Sequence, residues 1–357
     1  MREALRLSTF GRGRTSPNPM VGAVLVKDGR IVGTGWHRKA GTEHAEIHAL
    51  RMAGDLARGA TLYVTLEPCS HMGRTGPCAQ AVIEAGVRRV VAAMEDPNPL
   101  VRGKGFQMLR EEGVEVFCGV MEEEARRLNE AFVMWVTEKR PFVTLKMAMT
   151  LDGKTATAGG ESQWITGEAS RLRGHELRDE NDAILVGIGT VLADRPSLTT
   201  RLPDGNGKNP LRVILDSTAR TPLDTPMLKD GAAPVLIATT ERAPEENLRR
   251  LREAGAEILA SGQGQSVDLP ILLRKLGERN ICSLLVEGGS TVHFSFLSEG
   301  LADKVCAFVA PMLVGGKSAT PAVGGEGFLR LADAARLVDI ETEMIGNDFC
   351  ISGYIKR

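Results

Sequence analysis

Apolar residues in the first third of the chain fall into short alternating runs. Val21 to Lys27 and Arg30 to Trp36 alternate as strands around Asp28-Gly29, a dipeptide suited to the positive φ angles of a tight hairpin. A short helix is expected from Arg2 to Ser8. A second begins near His44 and runs toward Met52, with Ala45, Ala49 and Leu50 at helical spacing. Thr61 to Leu66 then reads as a buried strand. The helix from Pro77 to about Ala85, strand Arg89 to Met94, helix Gly103 to Glu112 and strand Val114 to Cys118 continue the alternation. Such a rhythm predicts α/β architecture, a parallel sheet covered by helices, with ligands gathered at the carboxyl ends of the strands. Glu67-Pro68-Cys69 and Asp96-Pro97-Asn98 both fall there.

Glu122 to Thr137 reads as one charged amphipathic helix, ended by Lys139-Arg140-Pro141. At 357 residues the chain exceeds the usual size of a single core, so the boundary is set here, giving domains 1–139 and 140–357. The second domain is expected to open with strand Phe142 to Ala148, the turn Asp152-Gly153, another strand, and helix Glu168 to Asp179. Apolar strands follow at Ala183 to Val186, Leu211 to Leu215, Val235 to Ala238 and Ser283 to Val286. Lys304 to Ala310, Leu337 to Met344 and Phe349 to Lys356 are separated by glycine-rich loops rather than helices. That pattern predicts a parallel core with antiparallel additions.

Composition narrows the function classes. A net charge of −1 gives no broad basic footprint, which argues against a nucleic-acid binder and leaves room only for local basic pockets. The stretch Met1 to Arg6 has no apolar signal core, and no later run reaches membrane-spanning length, so a cytoplasmic protein with no membrane partner is expected. Six cysteines are too few for a disulfide framework in a chain this long. Cys118, Cys282, Cys306 and Cys350 lie in or beside apolar runs and read as packing residues.

The remaining two, Cys69 and Cys78, point with His44 to a metal. One imidazole and two thiolates suit Zn²⁺, and three protein ligands leave a fourth position for water. Bound water there is acidified toward neutrality. Glu46, two residues past His44, is cast as the proton carrier beside the metal. The arrangement follows the zinc-deaminase signature H-x-E then P-C-x-x-C, except that Cys69 and Cys78 enclose eight residues. This loop holds His71 and Arg74, basic groups that suit a substrate with an anionic tail. Taken singly, His-Ala-Glu is more often a solvated helix face, and free cysteines are often small hydrophobes. Together, each on the far side of a predicted strand from the other, they favour the catalytic site over a closed structural zinc with His71 as fourth ligand.

In the second domain, Leu284-Leu285-Val286 runs into Glu287-Gly288-Gly289-Ser290-Thr291 before an apolar helix, a junction where a phosphate can approach backbone N–H groups. The dinucleotide fingerprint G-x-G-x-x-G fails here and at Gly187-Ile188-Gly189. Arg178, Asp194 and Arg201 form a further constellation. Guanidinium pairs grip phosphate, although each residue alone more often makes a surface salt bridge.

Longer motifs then carry a resemblance over nearly the whole chain. Ser16-Pro17-Asn18-Pro19-Met20-Val21-Gly22, His44-Ala45-Glu46, Thr65-Leu66-Glu67-Pro68-Cys69-Ser70-His71 and Asp96-Pro97-Asn98-Pro99 are followed by Leu151-Asp152-Gly153-Lys154, Trp164-Ile165-Thr166-Gly167, Asp182 to Gly187 and Gly189-Thr190-Val191-Leu192-Ala193-Asp194. In these the chain resembles the bifunctional riboflavin-biosynthesis deaminase and reductase family (RibD or RibG). The resemblance implies a cytidine-deaminase-like three-layer domain followed by a dihydrofolate-reductase-like domain. The first would hydrolyse the 2-amino group of a phosphorylated diaminopyrimidine with one zinc. The second would reduce the ribosyl side chain with NADPH. It further implies His44, Cys69 and Cys78 on zinc, Glu46 moving protons, and Asn18, His37, His71, Arg74, Asp96 and Asn98 in the deaminase pocket. Ser162, Arg178, Leu198, Arg201 and Glu287 resemble substrate contacts of the reductase. Ala148, Trp164, Thr166, Thr190, Asp194, Ser217 and Gly289 resemble NADPH contacts, and Lys146 and Asp194 lie near the reacting centre. Arg195 stands where the family often has a second Asp. A homo-oligomer, dimer or tetramer, is expected. The alternative of another class, a nucleic-acid base deaminase fused to a nucleotide-binding module, predicts a basic groove that the balanced charge does not support.

Overall fold

The computed structural model describes residues 1–70, 76–99 and 101–356. The chain divides into two units, Met1–Arg140 and Pro141–Arg357. The first begins with α1 (Arg2–Ser8) and the expected hairpin of β1 (Gly22–Lys27) and β2 (Arg30–Trp36). Asp28 and Gly29 take φ of 48° and 75° at its turn. β1 also pairs antiparallel with β3 (Thr61–Val64), which continues in parallel to β4 (Arg89–Ala92) and β5 (Glu115–Cys118). The sheet order is β2-β1-β3-β4-β5, so the predicted parallel rhythm holds for three strands and the hairpin adds the antiparallel edge.

α2 (Ala45–Ala53) packs closely on this sheet because its buried stripe is Ala45, Ala49 and Ala53. A Cβ at Gly35 of β2 would come within 2.2 Å of the Ala45 carbonyl oxygen, so only glycine permits this approach. α3 (Cys78–Glu84) and α4 (Lys104–Glu111) complete the βαβ crossovers. The helix expected from Glu122 to Thr137 is instead two, α5 (Glu122–Leu128) and α6 (Glu130–Glu138). Asn129 breaks it: its buried side chain leaves the helical pattern to accept from Met20 N–H at 2.7 Å and donate to the Met20 carbonyl at 3.0 Å. Bonding of this kind competes with helix continuation.

The second unit holds a nine-stranded sheet, in chain order β6 (Phe142–Thr150), β7 (Ala183–Gly187), β8 (Leu211–Leu215), β9 (Val235–Thr239), β10 (Glu257–Ala260), β11 (Ser283–Gly288), β12 (Lys304–Ala310), β13 (Leu337–Ile345) and β14 (Asp348–Ile355). Spatially it runs β10-β9-β8-β7-β11-β6-β12-β14-β13. Neighbours from β10 to β12 are parallel, and β14 and β13 are antiparallel additions, as expected. The strand expected after Asp152-Gly153 does not form. Lys154 makes only an isolated bridge to Pro321. The Asp152 carboxylate ties this turn to a loop instead, accepting from Val314 N–H at 3.1 Å and Gly315 N–H at 2.6 Å.

Both faces of the parallel core are covered by α7 (Glu168–Glu180), α8 (Ile188–Asp194), α9 (Pro226–Lys229), α10 (Glu245–Glu253), α11 (Leu269–Glu278) and α12 (Ser290–Ser298). The period-2 alternation of β7 sorts its side chains. Ala183 and Leu185 join a cluster with Leu272, Leu273 and Leu276 of α11 and Phe296 of α12, while Ile184 and Val186 pack with Val191, Met227 and Leu251. Buried on both faces, such strands read as continuous apolar runs. The Asp348 carboxylate of β14 accepts from Gly167 N–H at 2.7 Å and Ser170 Oγ at 2.6 Å, anchoring the start of α7.

Candidate active sites of the two units

His44, Cys69 and Cys78 are far apart in the chain and meet because three element ends converge. His44 is the N-cap of α2, Cys69 follows β3, and Cys78 is the first residue of α3. Cys78 N–H donates to Cys69 Sγ at 3.3 Å, fixing the two cysteines together. His44 Nδ1 lies 3.6 Å from Cys69 Sγ and 3.3 Å from Cys78 Sγ, and the three ligand atoms lie within 4.8 Å of one another. Tetrahedral zinc with its usual bond lengths places nitrogen and sulfur ligands roughly 3.5 Å apart. The three side chains therefore fit the ion in separation and in chemistry. The hydrogen bond between the sulfurs, then His44, pulls the Cys69 thiol well below its ordinary value, and the same bond raises Cys78. The bond to Cys69 raises His44.

Glu46, in the first turn of α2, is buried beside this cluster. Burial, followed by the charge of Cys69, pushes its carboxyl up to about 7. His44, Glu46 and Cys69 line a cavity of about 440 Å³ whose wall includes Asn18, His37, Asp96 and Asn98. His37 is buried and its ring packs edge-on against His44, with centroids 5.2 Å apart. Its Nδ1–H donates to the Glu43 carbonyl at 3.1 Å, so Nε2 of the neutral ring accepts from the Asn18 amide at 3.2 Å. Burial lowers the His37 pKa and favours that neutral form. His71 and Arg74 lie outside the described residues.

Sequence reasoning passed over Glu67 as a functional residue. Its buried carboxylate accepts from the N–H groups of Asp96 (3.1 Å), Gly103 (2.9 Å) and Gly105 (2.8 Å), so it holds the loop carrying Asp96 and Asn98 against the metal loop. Gly105 is where the two backbones touch, since a Cβ there would lie 1.9 Å from the Pro68 carbonyl oxygen. Gly105→Ala is accordingly expected to displace Cys69 and lower both metal content and turnover at this site at least about tenfold, with the second unit unaffected. Full zinc occupancy and normal turnover in that variant would contradict the contact.

In the second unit a cavity of about 620 Å³ opens at the carboxyl ends of β6, β7 and β11. Lys146, Ala148, Ser162, Thr190, Asp194, Glu287 and Gly289 line it. Glycines of the two strand-to-helix junctions form its floor. A Cβ at Gly187 would come within 2.8 Å of Val292 Cγ2, and the backbone of Ser290 to Val292 at the start of α12 borders the space. A helix start of this kind suits a phosphate group.

A charge cluster joins this lining to Arg178. Arg178 grips Glu287 with two bonds of 2.7 and 2.8 Å and donates to the Thr199 carbonyl at 2.9 Å, while Lys146 Nζ stands 3.8 Å from Glu287. Burial alone would raise Glu287, but Arg178 and then Lys146 outweigh it and hold the carboxyl at about 2. Burial and the neighbouring Arg178 depress Arg201. His175, unnoticed in the sequence, is held at about 4 by burial, Arg178 and Arg201.

Trp164, Thr166, Ser217, Leu198, Arg178 and Arg201 are not among the residues that line the cavity. Trp164 is exposed beneath the Arg171 guanidinium, 4.7 Å from its ring centroid. Ser217 Oγ accepts from Val267 N–H at 3.3 Å, and the Leu198 side chain packs in the core with Ile184 and Ile214. Asp194 accepts from Ser162 Oγ at 3.3 Å. Arg195, the departure from the family pattern, pairs with Asp224.

A mixed sheet carrying a His-Cys-Cys cluster, followed by a parallel sheet with a glycine-floored cleft, defines a two-unit enzyme of the deaminase and reductase classes. The family model for the cytidine and deoxycytidylate deaminase zinc-binding region matches residues 1–94, and the RibD C-terminal domain matches residues 141–351. Riboflavin biosynthesis protein RibD of Bacillus amyloliquefaciens is 46% identical over 356 residues, covering 100% of this chain and 95% of that protein. The Escherichia coli (strain K12) protein of the same name is 42% identical, covering 98% and 97%. The structure of Acinetobacter baumannii RibD (form 1) superposes with a TM-score of 0.90 at 39% identity, covering 100% of this chain and 98% of that one. A Thermotoga maritima diaminohydroxyphosphoribosylaminopyrimidine deaminase/5-amino-6-(5-phosphoribosylamino)uracil reductase gives 0.87 at 41% identity, covering 100% and 97%. The chain belongs to the RibD family of riboflavin-biosynthesis enzymes, with a cytidine-deaminase-like unit followed by a dihydrofolate-reductase-like one. Among the described residues no helix is long and apolar enough to cross a membrane.

Proposed function

We propose that the first unit hydrolyses the 2-amino group of 2,5-diamino-6-ribosylamino-4(3H)-pyrimidinone 5′-phosphate to a carbonyl, releasing ammonia. The second unit then reduces the ribosyl side chain of 5-amino-6-(5-phosphoribosylamino)uracil to ribityl with NADPH. The observation that carries this reading is the cluster of His44, Cys69 and Cys78 with buried Glu46 beside it, in a chain of the RibD family.

His44, Cys69 and Cys78 would hold zinc, and the chemistry zinc supplies there is acidification of water. Glu46, with its carboxyl near 7, can take a proton from water and return one to the departing amine, so one residue serves both halves of the hydrolysis. Asn18, His37, Asp96 and Asn98 orient the pyrimidine, and His71 and Arg74 take its phosphate tail. In the reductase, Thr190, Gly289 and the first turn of α12 would hold the phosphates of NADPH, which supplies the hydride. Ala148, Trp164, Thr166 and Ser217 complete the proposed cofactor contacts. Ser162, Leu198, Arg201 and the Arg178–Glu287 pair position the substrate, with Lys146 and Asp194 at the reacting carbon. The task there is alignment more than acid–base power. The balanced charge of the chain supports small phosphorylated substrates over nucleic acid. A homo-oligomer is part of the same proposal, supported by the long exposed strand β13.

Incubating the purified protein with the diaminopyrimidine tests both halves. Ammonia is expected with or without NADPH, and the ribityl product only with it; no ammonia release would overturn the deaminase assignment. Arg201→Ala is expected to raise the reductase KM for substrate about tenfold or more while that for NADPH changes little. Equal losses for both would remove Arg201 from the phosphate site.

A further inference from the structure

The two family models leave residues 95–140 uncovered, yet this stretch builds part of the deaminase cavity. Phe132, Trp135 and Val136 of α6 line the same space as His44 and Glu46. Their i, i+3, i+4 spacing puts them on one helix face. The helix is fastened there by Asn129, whose side chain pairs with both backbone groups of Met20. Met20 lies between Pro19 and Val21, which line the same cavity. The break between α5 and α6 therefore coincides with the clamp that sets α6 over the pocket. A helix that merely closed a core could use Leu at these positions. Two adjacent aromatic rings facing a cavity offer flat, polarisable surface, which is what a planar heterocycle packs against.

We propose that Phe132 and Trp135 form the packing surface for the substrate's pyrimidine ring, and that Asn129 is the positioning residue that sets them. The inference rests on the deaminase reading given above. It assigns α6 the recognition of the ring and leaves hydrolysis to the metal cluster and Glu46. Binding of a flat ring is then separable from turnover.

The test is steady-state deamination by Phe132→Ala, Trp135→Ala, Trp135→Phe and Asn129→Ala, with zinc content and NADPH-dependent reduction measured on the same preparations. Each alanine variant is expected to raise the deaminase KM about tenfold with kcat within about twofold, and Trp135→Phe to recover most of the loss. An unchanged KM in Trp135→Ala overturns the inference, as does a KM in Trp135→Phe no better than in Trp135→Ala. A protein carrying Glu46→Gln, to prevent turnover, with Trp36→Phe and Trp164→Phe keeps Trp135 as its one indole. Substrate is expected to quench its fluorescence, and no quenching at saturating substrate also overturns the inference. Absence of deamination in the unsubstituted protein would instead overturn the activity itself.

Discussion

Glu46→Gln is expected to lower deamination by about 10³-fold while zinc stays bound and NADPH-dependent reduction continues unchanged. The amide keeps the size of the carboxyl but cannot carry a proton. Glu46 is the second residue of α2, buried two residues beyond the cap residue His44, and is separate from the three groups that fit the metal. Metal analysis, ammonia release and NADPH oxidation on one preparation check all three parts. Deamination within tenfold of the unsubstituted protein would show that another group handles the protons.

The second large effect is expected at Arg178. Arg178→Ala leaves the Glu287 carboxylate buried without its two-bond partner, with Lys146 standing 3.8 Å away. Stranding one member of such a buried pair costs about 3–5 kcal/mol. Reductase activity should be lost and the second unit should melt earlier, with deamination retained. The pH dependence carries a definite sign. Because Glu287 is held at about 2 in the folded protein against an ordinary value of 4.5, its contribution to stability is complete above about pH 4.5 and is lost as the pH falls toward 2. Without Arg178 the buried carboxyl is relieved by protonation instead. The stability gap between the two proteins should narrow from pH 5 to pH 3 in urea unfolding; a constant gap would show that the pair is not what stabilises the site.

Much of this arrangement was legible in the sequence, for identifiable reasons. His44, Glu46, Cys69 and Cys78 are residue types with few alternative roles, and as a set their chemistry narrows to one metal site. The strands of the second sheet were legible because burial on both faces makes them uniformly apolar, as in Ala183–Gly187. Strand Glu257–Ala260 escaped notice, being short and half exposed at a sheet edge. The break at Asn129 was invisible because its cause is Met20, 109 positions away. The Arg178–Glu287 pair spans the same separation, so the sequence offered the two residues but not their bond. Glu67 was hidden for a related reason: a carboxylate serving backbone N–H groups has no recognisable partner residue.

The path of the second sheet also bears on how the enzyme matures during synthesis. Strand β6 opens that unit, yet its neighbours β11 and β12 are made more than a hundred residues later, and α7 is anchored by Asp348. The first unit closes its own sheet within residues 1–140. A nascent chain can thus complete its first sheet long before its second, and a ribosome stalled after residue 300 would hold β6 still waiting for β12.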